Sequence, residues 1–153
     1  QGPFGDTESI ILRFPISEHV DTEEQLKDLQ SKIDPHENVD QPVFKLLPEA
    51  RKYIFDLMGF VSGERLGRCI INKIKPGGVI SPHCDSPEHS AYWDRFHIVL
   101  QSGPGCNFRC VDEWVNMQVG EVWWFNNSLE HEVINNSNDD RIHLVIDIRT
   151  SKP

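Results

Sequence analysis

Apolar positions recur with two different periods along this chain, and the change of period divides it. Ser9-Ile10-Ile11-Leu12-Arg13-Phe14 is a short apolar run of strand type. Thr22 precedes Glu23, Glu24 and Gln25 in the order of a capping box, with Gln three places after the cap. Leu26, Leu29 and Ile33 follow at helical spacing, and Pro35 closes the segment. A second helix is predicted over 48–58, with Pro48 in its first turn and Ala50, Ile54, Leu57 and Met58 as its apolar stripe. From Leu66 onward the helical period stops. Short strand-like runs replace it at 68–75, 79–81, 95–101, 107–111, 115–118, 121–125, 132–135 and 141–149. Turn clusters such as Pro76-Gly77-Gly78 and Gly103-Pro104-Gly105 separate them. This pattern predicts a mainly β fold, a sandwich, barrel or jelly roll, with two N-terminal packing helices.

Length and charge narrow the picture. The 153 residues suit one domain, expected over 4–153, and Gln1-Gly2-Pro3 reads as the remnant of a cleavable tag. Acidic residues outnumber basic ones 24 to 15, a net charge of −9. Such a field repels a polyanion, so nucleic acid is excluded as the expected main partner. No apolar run approaches the ~18 residues that a membrane helix needs, and the expected location is the cytoplasm. Cys69, Cys84, Cys106 and Cys110 contain no Cys-x-x-Cys pair and read as thiols of a reducing compartment. A zinc site built from His83, Cys84, Cys106 and Cys110 matches no common module in its spacing.

The candidate chemistry lies elsewhere. In Ser81-Pro82-His83-Cys84-Asp85, residues two apart in extended chain point to one side, so His83 and Asp85 can converge. His131 follows 48 residues later, just before a predicted strand. Two imidazoles and one carboxylate are the donor set of a facial triad for non-haem Fe(II), which leaves positions open for other ligands. Arg141 opens the last strand, ten residues after His131. A guanidinium pointing into a barrel needs an anionic partner. A dicarboxylate cosubstrate is one such partner; Asp139 and Asp147 are the competing ones.

From about Cys69 to Arg149 the chain resembles the aspartyl/asparaginyl β-hydroxylase-like family of Fe(II)- and 2-oxoglutarate-dependent oxygenases. The resemblance rests on Lys75-Pro76-Gly77-Gly78, Pro82-His83, Arg95-Phe96-His97-Ile98-Val99-Leu100, Gly120-Glu121-Val122-Trp123-Trp124-Phe125-Asn126-Asn127-Ser128, Glu130-His131-Glu132-Val133 and Arg141. It implies a double-stranded β-helix, the jelly-roll form of the β core. It also implies that His83 and His131 bind iron and that Arg141 anchors the distal carboxylate of 2-oxoglutarate. Arg95, His97 and Asn72 are placed by position around the cosubstrate, and dioxygen is the co-reactant. The family's best-known members lack the carboxylate ligand. Asp85 puts this chain with the full-triad branch, which includes free-proline hydroxylases. The implied activity is hydroxylation of an amino acid, free or within a peptide or protein. A bacterial or phage-encoded enzyme is the simpler expectation, since the repeat-helical and membrane regions of large animal relatives are missing from this sequence.

Two further readings stay open. One is a free L-proline-type hydroxylase; the other, from a different class, is a cupin-like metal-binding protein without oxygenase activity. The remaining histidines carry no assigned role: His89 and His143 read as ordinary, and His19 and His36 as exposed. Trp123 and Trp124 are neighbours in a strand, so one faces inward and one outward. The loop 85–94 lies beside the metal ligands and is a candidate substrate lid.

Overall fold

The computed structural model describes residues 3–16, 22–32 and 34–151. Gln1 and Gly2 of the tag-like start, His19, Ile33 and the side chains of Leu26 and Leu29 lie outside the described residues. Strand β1 (Thr7–Pro15) is followed by α1 (Glu23–Lys32), β2 (Asn38–Asp40), a 3-10 turn (Pro42–Leu46) and α2 (Pro48–Phe60). The capping box at the start of α1 closes in both directions. The Gln25 amide N–H donates to Thr22 Oγ1 at 3.2 Å, and Gln25 Oε1 accepts from the Thr22 N–H at 3.2 Å.

The remaining chain alternates between two sheets: β3 (Gly63–Ile74), β4 (Val79–His83), β5 (Asp94–Gln101), β6 (Cys106–Cys110), β7 (Glu113–Val115), β8 (Val122–Trp124), β9 (His131–Asn135) and β10 (Arg141–Thr150). One sheet runs β2-β1-β3-β10-β5-β8, the other β4-β9-β6-β7, and every pairing is antiparallel. The last eight strands form the double-stranded β-helix, and β1 and β2 widen its larger sheet. Two features differ from the sequence reading. β2 is too short to show a period, and loop 85–94 contains a third helix, α3 (Pro87–Tyr92). Ser86 caps α3 by accepting the His89 N–H, and Pro87 occupies its first turn.

The larger sheet buries both faces, each against a different partner. Its outer face sets Cys69, Phe96, Ile98, Leu144, Ile146 and Ile148 against Ile54 and Leu57 of α2. Its inner face, with Ile74 and Val99, meets Ile80, Phe108, Met117, Phe125 and Val133 between the sheets. Inner positions of β10 alternate with these apolar ones and carry Arg141, His143, Val145 and Asp147; the last three pair across to Val99, His97 and Arg95 of β5. The interior of the barrel is therefore charged and imidazole-rich in a band that the alternation predicted.

Asn135 fixes where β10 begins. Its amide donates to the carbonyls of Ile74 and Asp139, both at 2.9 Å, and its oxygen accepts from the Ser137 N–H, the Ser137 hydroxyl and the Cys106 thiol. Asn135 and its partners thus order the Asn-rich turn that delivers Arg141. Asn135→Ala strands several buried polar groups, and a loss of about 3 kcal/mol is expected in urea unfolding.

Candidate metal centre

A bulge decides which way His83 points. Ile80 pairs with Val133 and His83 with His131, so three steps along β4 match two along β9. Strict alternation would turn His83 away from the side of Ile80; the extra residue, in the stretch containing Pro82, returns it to the interior. His83 and His131 are then cross-strand partners with ring centroids 4.3 Å apart. Asp85 follows β4 and is clasped to residue 127 twice. Its N–H donates to the Asn127 carbonyl at 3.0 Å, and its Oδ2 accepts from the Asn127 amide at 2.8 Å. One ligand atom from each of His83, Asp85 and His131 lies within 4.8 Å of the other two, a grouping that can hold a metal ion.

Both imidazoles are oriented by the same local device. Nδ1 of His83 lies 2.8 Å from the Ser81 carbonyl, and Nδ1 of His131 lies 2.9 Å from the Leu129 carbonyl. A carbonyl only accepts, so each Nδ1 carries a proton, and in the neutral form of such a ring Nε2 presents its lone pair. Burial pulls the His131 imidazole below its usual range, which favours the neutral, metal-binding form. Phe108 and Phe125 pack against the His131 ring and Phe4 against that of His83.

Asp85 is held from behind. Arg95 Nη1 donates to Asp85 Oδ2 at 2.5 Å, while its Nε and Nη2 donate to the two oxygens of Asp147 at 2.8 and 3.1 Å. Asp147 is fully buried and sits directly across from Arg95 in the sheet. Burial pushes its carboxyl upward, but Arg95 and His89 outweigh that and hold it at about 2. His89 Nε2 from α3 lies 2.9 Å from Asp147 Oδ2 and 3.0 Å from Arg95 Nη2, so it serves one partner in either tautomer. Gly67 makes room for this cluster: a Cβ there would meet the Trp93 ring at 3.0 Å and Asp147 Cβ at 3.1 Å.

Arg95, which the sequence reading places around the cosubstrate, contacts two protein carboxylates in the structure. These carboxylates balance its charge, and one of them is the candidate ligand Asp85. Asp147, His89 and Asn127 were missed by the sequence reading. The visible signal for Asp147 was an acid on an inward position of an otherwise apolar strand. Asp147→Asn removes one of the two carboxylates on Arg95, and a 10- to 100-fold loss of iron affinity in a competition titration is expected. A depressed carboxyl stabilises the fold above its ordinary range near 4 and loses that effect as pH falls toward 2. The parent chain is therefore expected to lose about 2 kcal/mol across that window, a slope absent in Asp147→Asn.

Arg141 is in the opposite situation. It is 3% exposed, and no carboxylate lies within 4.0 Å of it among the described residues. Burial pulls its guanidinium down to about 10, and neither Asp139 nor Asp147 pairs with it. Its Nη2 reaches His143 Nδ1 at 3.1 Å. His97, buried on the inner face opposite Trp123, lies between this group and the metal ligands, its ring against Phe108, Phe125 and His143. Asn72 shares the face of its neighbour His143 and accepts the Ser9 hydroxyl at 2.7 Å. The donor chemistry fits the expected groups: two imidazoles and a carboxylate for Fe(II), and a buried cation lacking a counter-anion among the described residues for a dicarboxylate.

The cysteines do not join the centre. Among the described residues the metal-type group contains only His83, Asp85 and His131, and Cys106 is engaged with Asn135 and Ser137. Trp123 faces inward beside His97, and Trp124 is 54% exposed, as the strand alternation required. No described helix is long and apolar enough to cross a membrane.

Fold and donor set define a class, the double-stranded β-helix with a His-Asp-His group at one end of its barrel. Residues 30–151 match the model of the aspartyl/asparaginyl beta-hydroxylase family, and the chain belongs to that family. L-proline cis-4-hydroxylase of Rhizobium meliloti (strain 1021) is 31% identical over 113 residues, 72% of this chain and 38% of that protein. The chain thus spans well under half the length of this curated relative. The crystal structure of an oxidoreductase of the 2OG-Fe(II) oxygenase family from Burkholderia pseudomallei aligns over 96% of this chain and 70% of its own. Its TM-score of 0.58 at 19% identity shows a shared fold.

Proposed function

We propose that this chain is an Fe(II)- and 2-oxoglutarate-dependent dioxygenase that hydroxylates an amino acid, free or within a peptide. One observation carries the reading: a buried guanidinium without a carboxylate partner among the described residues occupies the same barrel as a His-Asp-His group. When bound, iron and 2-oxoglutarate supply the oxidative chemistry, in which dioxygen is split between succinate and a new hydroxyl group. The protein's residues supply geometry. His83, Asp85 and His131 would hold the ion through one atom each, a donor set that suits Fe(II). Arg95 and Asn127 engage Asp85 Oδ2 and leave Oδ1 to the metal. Arg141 pairs with the distal carboxylate, and Phe108 and Phe125 keep water from the ligand histidines.

A cavity of about 500 Å³ is lined by Phe108, Met117 and Phe125 together with Asp112 and Glu113, and Phe108 and Phe125 also pack against the His131 ring. That size suits a small molecule, and the acidic lining residues suit an amine. These features favour a free amino or imino acid of the kind named for the Rhizobium relative, whereas a folded protein substrate needs an open groove.

Anaerobic titration with Fe(II) and 2-oxoglutarate tests the reading. A weak visible charge-transfer band is expected as the chelate forms, followed by succinate release under air with a proline-like substrate. Iron binding without the band leaves a metal-binding jelly roll and overturns the oxygenase reading.

A further inference from the structure

His143 is fully buried on the inner face of β10, two residues from Arg141. Its Nδ1 lies 3.1 Å from Arg141 Nη2 and 3.3 Å from His97 Nδ1. A guanidinium only donates, so His143 Nδ1 must present a lone pair. Burial and the neighbouring Arg141 charge hold both His143 and His97 far below the usual imidazole range, so each ring is neutral. A neutral ring with Nδ1 bare carries its one proton on Nε2. His97 Nδ1 then donates to the same lone pair, which locks the arrangement from the other side.

The resulting Nε2–H of His143 is buried and has no hydrogen-bond partner among the described residues. Buried donors in folded proteins are nearly always paired, and each exception needs a cause. Here this unpaired N–H stands beside the Arg141 guanidinium, which donates to His143 Nδ1 but has no carboxylate among the described residues. We propose that His143 is a second anchor for the distal carboxylate of the cosubstrate, its Nε2–H donating to one oxygen while Arg141 pairs with the group. The inference rests on the oxygenase reading above and assigns the cosubstrate's selectivity to a residue the sequence left without a role. A neutral donor suits the site better than a second cation. One guanidinium already matches one carboxylate, and further positive charge would stay uncompensated in the dry interior.

The test compares two ligands by calorimetry on the Mn(II)-loaded protein. One is 2-oxoglutarate; the other is 2-oxopentanoate, the same chain ending in a methyl group. His143→Leu is expected to weaken 2-oxoglutarate about 10- to 100-fold, the range of one hydrogen bond to a charged group, and to leave 2-oxopentanoate within twofold. His143→Gln, whose amide can take the place of the Nε2–H, is expected to restore part of the loss. Equal losses for both ligands mean a structural role and overturn the inference, as does an unchanged 2-oxoglutarate affinity. If the parent protein binds neither ligand, the oxygenase reading falls first. A second measurement avoids the variants. In the Zn(II)-loaded parent, the His143 Nε2–H proton resonance is expected to move downfield with 2-oxoglutarate and to stay in place with 2-oxopentanoate; no movement with either overturns the inference.

Discussion

His131→Ala and His83→Ala are each expected to lose iron altogether in an anaerobic binding assay, while the protein still folds. The two rings stand on adjacent strands of one sheet, each turned by its own backbone carbonyl so that Nε2 points toward the shared centre. Removing either deletes a ligand that nothing nearby replaces, since no other histidine, cysteine or carboxylate joins the group among the described residues. The loss should therefore exceed the 10- to 100-fold typical of changes behind the ligands. Asp85→Ala is expected to be milder and partly rescued by excess Fe(II). Arg95 remains paired with Asp147 in that variant, so no buried charge is abandoned. A His131→Ala protein that retains stoichiometric iron would remove His131 from the centre.

Arg141→Met is expected to raise the 2-oxoglutarate dissociation constant by about 10²-fold or more, the scale of a lost charge-assisted pair of about 3 kcal/mol. The same change should stabilise the cosubstrate-free protein in urea unfolding. Arg141 is buried with a hydrogen bond to His143 and no carboxylate partner among the described residues, and burial lowers its guanidinium pKa. An apolar side chain of similar length avoids that cost. The two effects have opposite signs, which separates this variant from one that is simply damaged. Weaker binding together with lower stability would mean that Arg141 serves the fold rather than the cosubstrate.

Much of the fold and of the metal centre is legible in the amino-acid sequence. The period change at Leu66 marks the jelly roll, and His83, Asp85, His131 and Arg141 stand out by residue type and order. The Asp85–Asp94 loop is legible only as a position. Its helix α3 is a single short turn, too brief to show a period, and what ties it down is His89 reaching Asp147 across 58 residues of chain. The partners of Arg95 are hidden from the sequence for a related reason. Its neighbours along the chain, Asp94 and Phe96, say nothing of Asp147, which becomes its partner only when β5 and β10 pair.

The strand-rich class, the reciprocal cap of α1, the inward and outward tryptophans and the choice of candidate donor residues were readable from the amino-acid order alone. These follow from local periodicity and from the chemistry of side chains, which a chain carries wherever it folds. Only the tertiary structure decided which charges are balanced. Arg95 and Arg141 are both inward-facing arginines near the starts of β strands, yet one lies between two carboxylates and the other meets none. That difference arises because sheet register, set by bulges at Ser81-Pro82 and near Asp147, brings together groups far apart in the chain. In a low-dielectric interior such pairing determines whether a charge is satisfied or waits for a ligand.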